Sequence, residues 1–197
     1  MMAAGGDARL AFDGVACLRG HRLLFEGLSF ALGPGDAALI TGPNGTGKSS
    51  LLRMAAGLLA PAAGAIHREG TIALADERHA LDPLKPLGEA LGFWAGVDGQ
   101  GRDAVAAGLD AVGLGAIAEV PVRMLSTGQA RRAGLARLIA GRAHIWLLDE
   151  PGNGLDAASL DRLAATMAAH RAQGGIILAA SHQPLGLDDA QPIRFRA

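Results

Sequence analysis

Tyrosine is absent from this chain, lysine occurs only as Lys48 and Lys85, and Cys17 is the single cysteine. One cysteine excludes an intrachain disulfide and a site built on several thiolates, and it suits a reducing compartment. Basic excess is missing too. With 18 Lys and Arg against 19 Asp and Glu the formal net charge is -1, so nothing draws the chain to a polyanion and nucleic acid is not an expected partner. No stretch of 18 residues is free of charge, and the opening "MMAAGGDARL" has neither a cationic n-region nor an apolar h-region. Neither a membrane span nor an export leader is expected. Half of the residues are hydrophobic, glycine occurs 29 times, and 197 residues suffice for one unit with a substantial core,. No internal repeat, charge block or low-complexity linker interrupts it.

Period and punctuation give the organisation. "ARLAFDGVACLRGHRLLFEGLSFAL" consists of short alternating or apolar runs broken by glycine, which predicts an antiparallel β layer,. "AALIT" (37–41) is a short apolar run that leads into a Gly-rich loop, and "KSSLLRMAAGLL" after it has helical spacing,. "TIALA" (71–75) reads as a strand, and residues from about 80 to 122 read as helical around a "GVDGQGR" loop,. The last third alternates "HIWLLDE", "AASLDRLAATMAAHRA" and "IILAA". Strand runs that are apolar throughout belong to a parallel sheet covered on both faces. The expected class is therefore α/β with a parallel core sheet, an N-terminal antiparallel layer and a small helical subdomain at about 80–140.

"GPNGTGKS", from Gly42 to Ser49, fits the phosphate-binding pattern G-x-x-x-x-G-K-[ST],. Gly42, Pro43, Asn44, Gly45, Thr46 and Gly47 form the loop, all but Pro43 carrying a backbone N–H, and Ser50 follows it in the helical run,. Glycines let those N–H groups turn toward phosphate oxygens, and the helix adds its positive end. In such loops the lysine, here Lys48, reaches the β and γ phosphates, and the hydroxyl of Ser49 ligates Mg²⁺. The alternative is a turn that merely caps a helix. "IWLLDE" supplies the acid a metal-nucleotide site needs: Asp149 as Mg²⁺ partner and Glu150 as general base toward water, which marks a hydrolase. Without the loop, the pair would read as an ordinary acidic strand end before Pro151.

"LSTGQ", residues 125 to 129, opens the next helical run. Ser126 and Gln129 have the spacing of a capping box. The same five residues, Leu125, Ser126, Thr127, Gly128 and Gln129, resemble the signature motif of ABC-type ATPases, written LSGGQ. In that family the signature of one subunit closes over the nucleotide held by the phosphate loop of another, so the resemblance implies a homodimer with two shared ATP sites. The cap and the signature are compatible. Further along, "PGNGLD" is similar to the family's D-loop, with Asp156 at the dimer-contacting position, and His182 in "LAASHQ" stands where the family has its switch histidine.

Two positions depart from the family pattern. The aromatic residue that stacks on adenine is matched by Arg19, whose guanidinium plane can also stack. The Gln that binds Mg²⁺ and water has Glu77 at its nearest equivalent position. "GPNGTGKSSLLRMAAGLLAPAAGAI", "ALDPLKPLGEALGFW" and the short stretch after "SHQ" resemble the CcmA group, the ATP-binding subunits of cytochrome c maturation. That resemblance implies one ABC ATPase domain over 1–197, peripheral on the cytoplasmic face of a bacterial inner membrane. It also implies CcmB-, CcmC- and CcmD-like membrane subunits, and ATP-driven release of a haem-loaded CcmE chaperone, described earlier as haem export. The apolar residues Leu81, Leu84, Leu87, Leu91, Phe93 and Trp94 either meet the membrane subunits or pack the subdomain's own core. Rival readings are the ATPase subunit of another ABC transporter, a soluble ABC ATPase acting in DNA repair or translation, and a structural, nucleotide-free relative. The second would carry long insertions between loop and signature, and intact Lys48, Asp149 and Glu150 oppose the third.

Overall fold

The computed structural model describes residues 8–76 and 80–195. Strands β1 (Arg9–Arg19), β2 (Arg22–Leu32) and β4 (Ala63–Glu69) form an antiparallel sheet in the order β2-β1-β4. A second sheet is parallel, in the order β5-β6-β7-β3-β8, from β3 (Ala37–Thr41), β5 (Ile72–Ala75), β6 (Ile145–Asp149), β7 (Ile176–Ala180) and β8 (Gln191–Arg194). The helices are α1 (Lys48–Ala55), α2 (Leu87–Val97), α3 (Arg102–Ala111), α4 (Thr127–Gly141) and α5 (Ala157–Ala172).

Side-chain alternation along the parallel strands builds two cores. Ala38 and Ile40, Ile145 and Leu147, and Ile176, Leu178 and Ala180 pack with Leu51, Leu52 and Met54 of α1 and with Leu10, Phe12 and Val15 of β1. Helix α1 thus lies between the two sheets. Leu51, Leu52 and Met54 are fully buried, and truncating Leu52 to Ala costs about 2–5 kcal/mol at such a site. The alternate residues, among them Trp146, Leu148, Ile177 and Ala179, pack on the other face with Leu163 and Met167 of α5, Ala133 and Ala136 of α4, and Leu87 and Leu91 of α2.

The stretch expected to be helical from 80 to 122 is helical in α2, α3 and a 3₁₀ turn at Gly115–Ile117, with a second 3₁₀ turn starting at Val122, and is irregular elsewhere. Prolines decide this. Segments 83–87 and 120–123 run side by side, with Leu87 N–H donating to Val120 O at 2.9 Å and Val122 N–H to Lys85 O at 3.0 Å, around a Pro86–Pro121 bridge. Pro86 and Pro121 carry no N–H and stand immediately before α2 and before the second 3₁₀ turn, Val122–Met124, so no helix runs through either and the adjacent segment takes up the hydrogen bonds instead,.

Candidate functional site

The Gly-rich loop joins β3 to α1, and its shape needs glycine at two places in particular. Gly42 has φ 144°, and a β-carbon there would stand 2.6 Å from the Phe195 carbonyl oxygen. Gly47, with φ 108°, is the N-cap of α1, and a β-carbon would meet the Phe25 ring at 3.0 Å. Phe25 in turn stacks on Phe195, ring centroids 4.7 Å apart. The loop is therefore braced from both sheets, its backbone committed to a turn that places the first N–H groups of α1 at its mouth.

Lys48 opens α1 and is only 7% exposed. Its ammonium donates to Gly42 O at 2.8 Å and Pro43 O at 3.1 Å, and lies 3.1 Å from His182 Nε2. An ammonium only donates, so the ring nitrogen facing it accepts. All three of its hydrogens are engaged. Asn44 Oδ1 stands 3.2 Å and Glu150 Oε1 3.3 Å from that same nitrogen. That nitrogen therefore faces one donor and two acceptors, which it engages by turns: unprotonated it accepts from Lys48, and protonated it donates to Asn44 or Glu150,. Glu150 Oε2 also accepts the His182 backbone N–H at 3.3 Å.

Lys48 opens α1 across the loop that leaves β3, and Glu150 and His182 follow β6 and β7; the three strands are neighbours in the sheet order, so the parallel topology collects these residues at its carboxyl edge,. Asp149 ends β6 and borders a cleft of about 350 Å³ that β5, Asp76 and Arg131 also line. Ser49 and Asp149 offer a hydroxyl and a carboxylate, hard oxygen donors of the kind Mg²⁺ takes alongside phosphate oxygens. Cys17, buried beside Ser50, has its thiol pushed up by burial and drawn partly back by the Ser50 hydrogen bond. It is a packing residue rather than a reactive thiolate.

The signature segment stands apart from this group. Ser126 caps α4 in a full capping box: its Oγ accepts Gln129 N–H at 3.2 Å and its own N–H donates to Gln129 Oε1 at 2.8 Å. Ser126 and Thr127 are exposed, Leu125 and Gly128 half-buried. Asp156 caps α5, accepting Ser159 N–H at 2.8 Å, and hydrogen bonding from the Ser159 side chain first and its N–H second holds its carboxyl below the usual carboxylate range. Arg19 lies opposite Arg22 at the tip of the β1–β2 hairpin, exposed. Glu77 falls outside the described residues.

Sequence reading did not find Arg131. From the second turn of α4 its guanidinium donates to the Glu150 carbonyl, the one side-chain link between the helix that begins with Ser126 and the Lys48, Glu150 and His182 group among the described residues. A signal was present: "ARRAG" puts two cations together inside a helical run that continues as the mostly apolar "LARLIAG", and a cation that is partly buried needs a specific acceptor,.

Residues 25–153 match the family model described as ABC transporter. A protein of Sphingopyxis alaskensis named cytochrome c biogenesis ATP-binding export protein CcmA is 58% identical over 180 residues, covering 91% of this chain and 93% of that one. A protein of Zymomonas mobilis with the same name is 54% identical over 184 residues, covering 93% of this chain and 83% of its own. Among solved structures, a bacterial Atm1-family ABC exporter with ATP bound superposes with a TM-score of 0.83 at 22% identity, over 98% of this chain and 39% of that one. That last likeness concerns the fold.

Proposed function

The chain belongs to the ABC transporter family and, within it, to the CcmA group; it is an ABC-type ATPase, and from this premise we infer its place and its residue roles. It acts as the ATP-hydrolysing subunit of a membrane complex for c-type cytochrome biogenesis, peripheral on the cytoplasmic face of the inner membrane. No helix among the described residues is long and apolar enough to cross a membrane, so anchoring falls to partner subunits of the CcmB, CcmC and CcmD type. Its work there is release of a haem-loaded CcmE-type chaperone. The whole of 1–197 serves as one ATPase domain, with the helical part at about 80–140 facing the membrane subunits.

The observation that carries the chemistry is the convergence of Lys48, Glu150 and His182 within 3.3 Å contacts at the carboxyl edge of the parallel sheet. ATP phosphates enter the loop, where backbone N–H groups and the start of α1 receive them. Lys48 exchanges Gly42 O and Pro43 O for β and γ phosphate oxygens. Ser49 and Asp149 would hold Mg²⁺, which when bound neutralises charge on those oxygens. His182, released by Lys48, donates toward the γ-phosphate and keeps Glu150 aligned. Water attacks the γ-phosphorus as Glu150 accepts its proton, the bond to the bridging oxygen breaks, and ADP and phosphate leave. Residues 125–129 and Asp156 of a second copy close each site, so ATP brings two chains face to face and hydrolysis parts them. Arg19 stacks on the base, and Glu77 is the nearest candidate for the water-positioning Gln of the family.

Purification from detergent-solubilised membranes tests this assignment. The chain should bring down integral membrane subunits that handle haem for cytochrome assembly. Recovery with the permease of an unrelated cargo would replace the reading by that of another ABC transporter.

A further inference from the structure

Glu150 has φ 50°, in the left-handed region that its β-carbon disfavours. Pro151 follows it and pushes a preceding residue toward extended backbone. Two steric preferences are thus opposed at one residue. The other described non-glycine residues with positive φ are Ala80 and Arg142, and Arg142 is accounted for as the left-handed cap that closes α4,. Glu150 directly follows β6, no helix ends at it, and the left-handed turn falls on a residue that is not glycine. A conformation of this kind persists where surrounding groups hold it, and it gathers at functional sites.

Three bonds hold it. Glu150 N–H donates to Ala180 O at 2.9 Å, continuing the sheet, and its carbonyl accepts Asn153 N–H at 3.2 Å, closing a turn. The third donor is Arg131, reaching the same carbonyl from α4. A bond from a guanidinium is charge-assisted and stronger than the backbone pair beside it. With the backbone so fixed, the carboxylate stands 3.3 Å from both the ring nitrogen and the backbone N–H of His182.

We propose that Arg131 is a positioning residue for ATP hydrolysis: its guanidinium holds the Glu150 carbonyl, and with it the left-handed backbone that aims the Glu150 carboxylate at His182 and the phosphate loop. The proposal rests on Glu150 being the proton acceptor. It gives α4 a second task. The helix whose first residues cap at Ser126 also sets the proton acceptor of its own chain, so a shift of α4 against the sheet moves Glu150 with it.

The test compares wild type, Arg131→Ala and Arg131→Lys as full chains, measuring turnover, equilibrium binding of a fluorescent ATP analogue, and thermal melting. Arg131→Ala should lower kcat by about 10- to 100-fold, the scale of an ångström-level misplacement of a reacting group, while the analogue's Kd stays within about twofold of wild type. Arg131→Lys, which keeps one charged donor, should recover part of the loss. A contact that only fastens α4 to the core would lower the melting temperature and leave kcat of the folded protein unchanged, which overturns the proposal. Equal losses in binding and turnover overturn it as well. If Arg131→Ala does not fold, Arg131→Lys is judged alone: a wild-type kcat counts against, a reduced kcat with intact binding counts for. A wild type or Glu150→Gln result at odds with ATP hydrolysis at this site would strike the assignment of Glu150, not this contact.

Discussion

Replacing Ser126 with Asp separates two tasks assigned to one serine. Within the chain Ser126 caps α4 through its bonds with Gln129. In the proposed dimer it faces a γ-phosphate held by Lys48 of the other copy. Aspartate is as good an N-cap as serine and suits the positive end of the helix, so Ser126→Asp should change stability by no more than about 0.5 kcal/mol. Ser126→Ala removes the cap and costs about 1 kcal/mol, which lowers the melting temperature by about 2–4 °C for a chain of this size. At the nucleotide the order reverses. A carboxylate about 4 Å from a phosphate oxygen, at an effective dielectric near ~20, is repelled by about 4 kcal/mol per unit charge, close to a thousandfold in binding to the closed state. Turnover and melting temperature of the three proteins should therefore disagree: Ser126→Asp melts like wild type and turns over least. Mixing supplies the decisive arm. A Ser126→Asp chain still has Lys48, and a Lys48→Ala chain still has Ser126, so each mixed dimer contains one wholly normal shared site. An equal mixture of two inactive proteins should then regain about a quarter of wild-type turnover, as expected for a symmetric dimer with independent sites. A mixture no more active than its components, or Ser126→Asp turning over at the wild-type rate, would leave Ser126 as a cap and nothing more.

Glu150→Gln should keep ATP binding but lose turnover by at least about 100-fold, leaving an ATP-held dimer visible by size-exclusion chromatography; wild-type turnover would remove Glu150 as the base. His170 is stacked on Trp146 with ring centroids 3.9 Å apart, and burial pushes its pKa below the ordinary value. The unfolded chain takes up a proton near pH ~6.5 that the folded chain refuses. Stability is therefore fully present above that pH and falls below it. Urea melts at two pH values should show a smaller acid loss in His170→Phe, and an identical loss would exclude His170 as its source. Leu84 and Phe93 are 72% and 66% exposed, whereas Leu81, Leu87 and Leu91 are buried. Leu84→Glu and Phe93→Glu should leave melting and nucleotide binding near wild type and weaken recovery with membranes; unchanged recovery would free both residues of that role.

Much of the fold is legible because its strands are read by what they bury. "AALIT", "IWLLD" and "IILAA" are apolar on both faces since helices cover the parallel sheet on each side,, and "AASLDRLAATMAAHRA" coincides with α5. Strand β4 was not legible. Its residues are exposed apart from Ile66, which is half-buried, so no periodicity marks it, and it exists through backbone pairing with β1. Strand β8 contains Pro192, which argues against a strand unless it is an edge, and it is one,. The phosphate loop is local and its motif is complete in sequence. The contacts of His182 with Lys48 and Asn44 span 134 and 138 residues, and no local pattern predicts them. Only the parallel crossovers bring those strand ends together. Trp94 shows why exposure cannot be guessed from hydrophobicity: its Nε1 donates to Ala80 O at 2.8 Å and Arg137 lies over its ring, so it serves the helical part itself.

The most direct test of the central claim is haem staining of c-type cytochromes in a strain deleted for this chain and supplied with either the wild-type or the Lys48→Ala protein. The deletion should remove stained c-type cytochromes and leave b-type cytochromes in place. Wild-type protein restores the stain, and Lys48→Ala, present at equal level, does not. Normal c-type cytochromes in the deletion strain, or full restoration by Lys48→Ala, would contradict the claim.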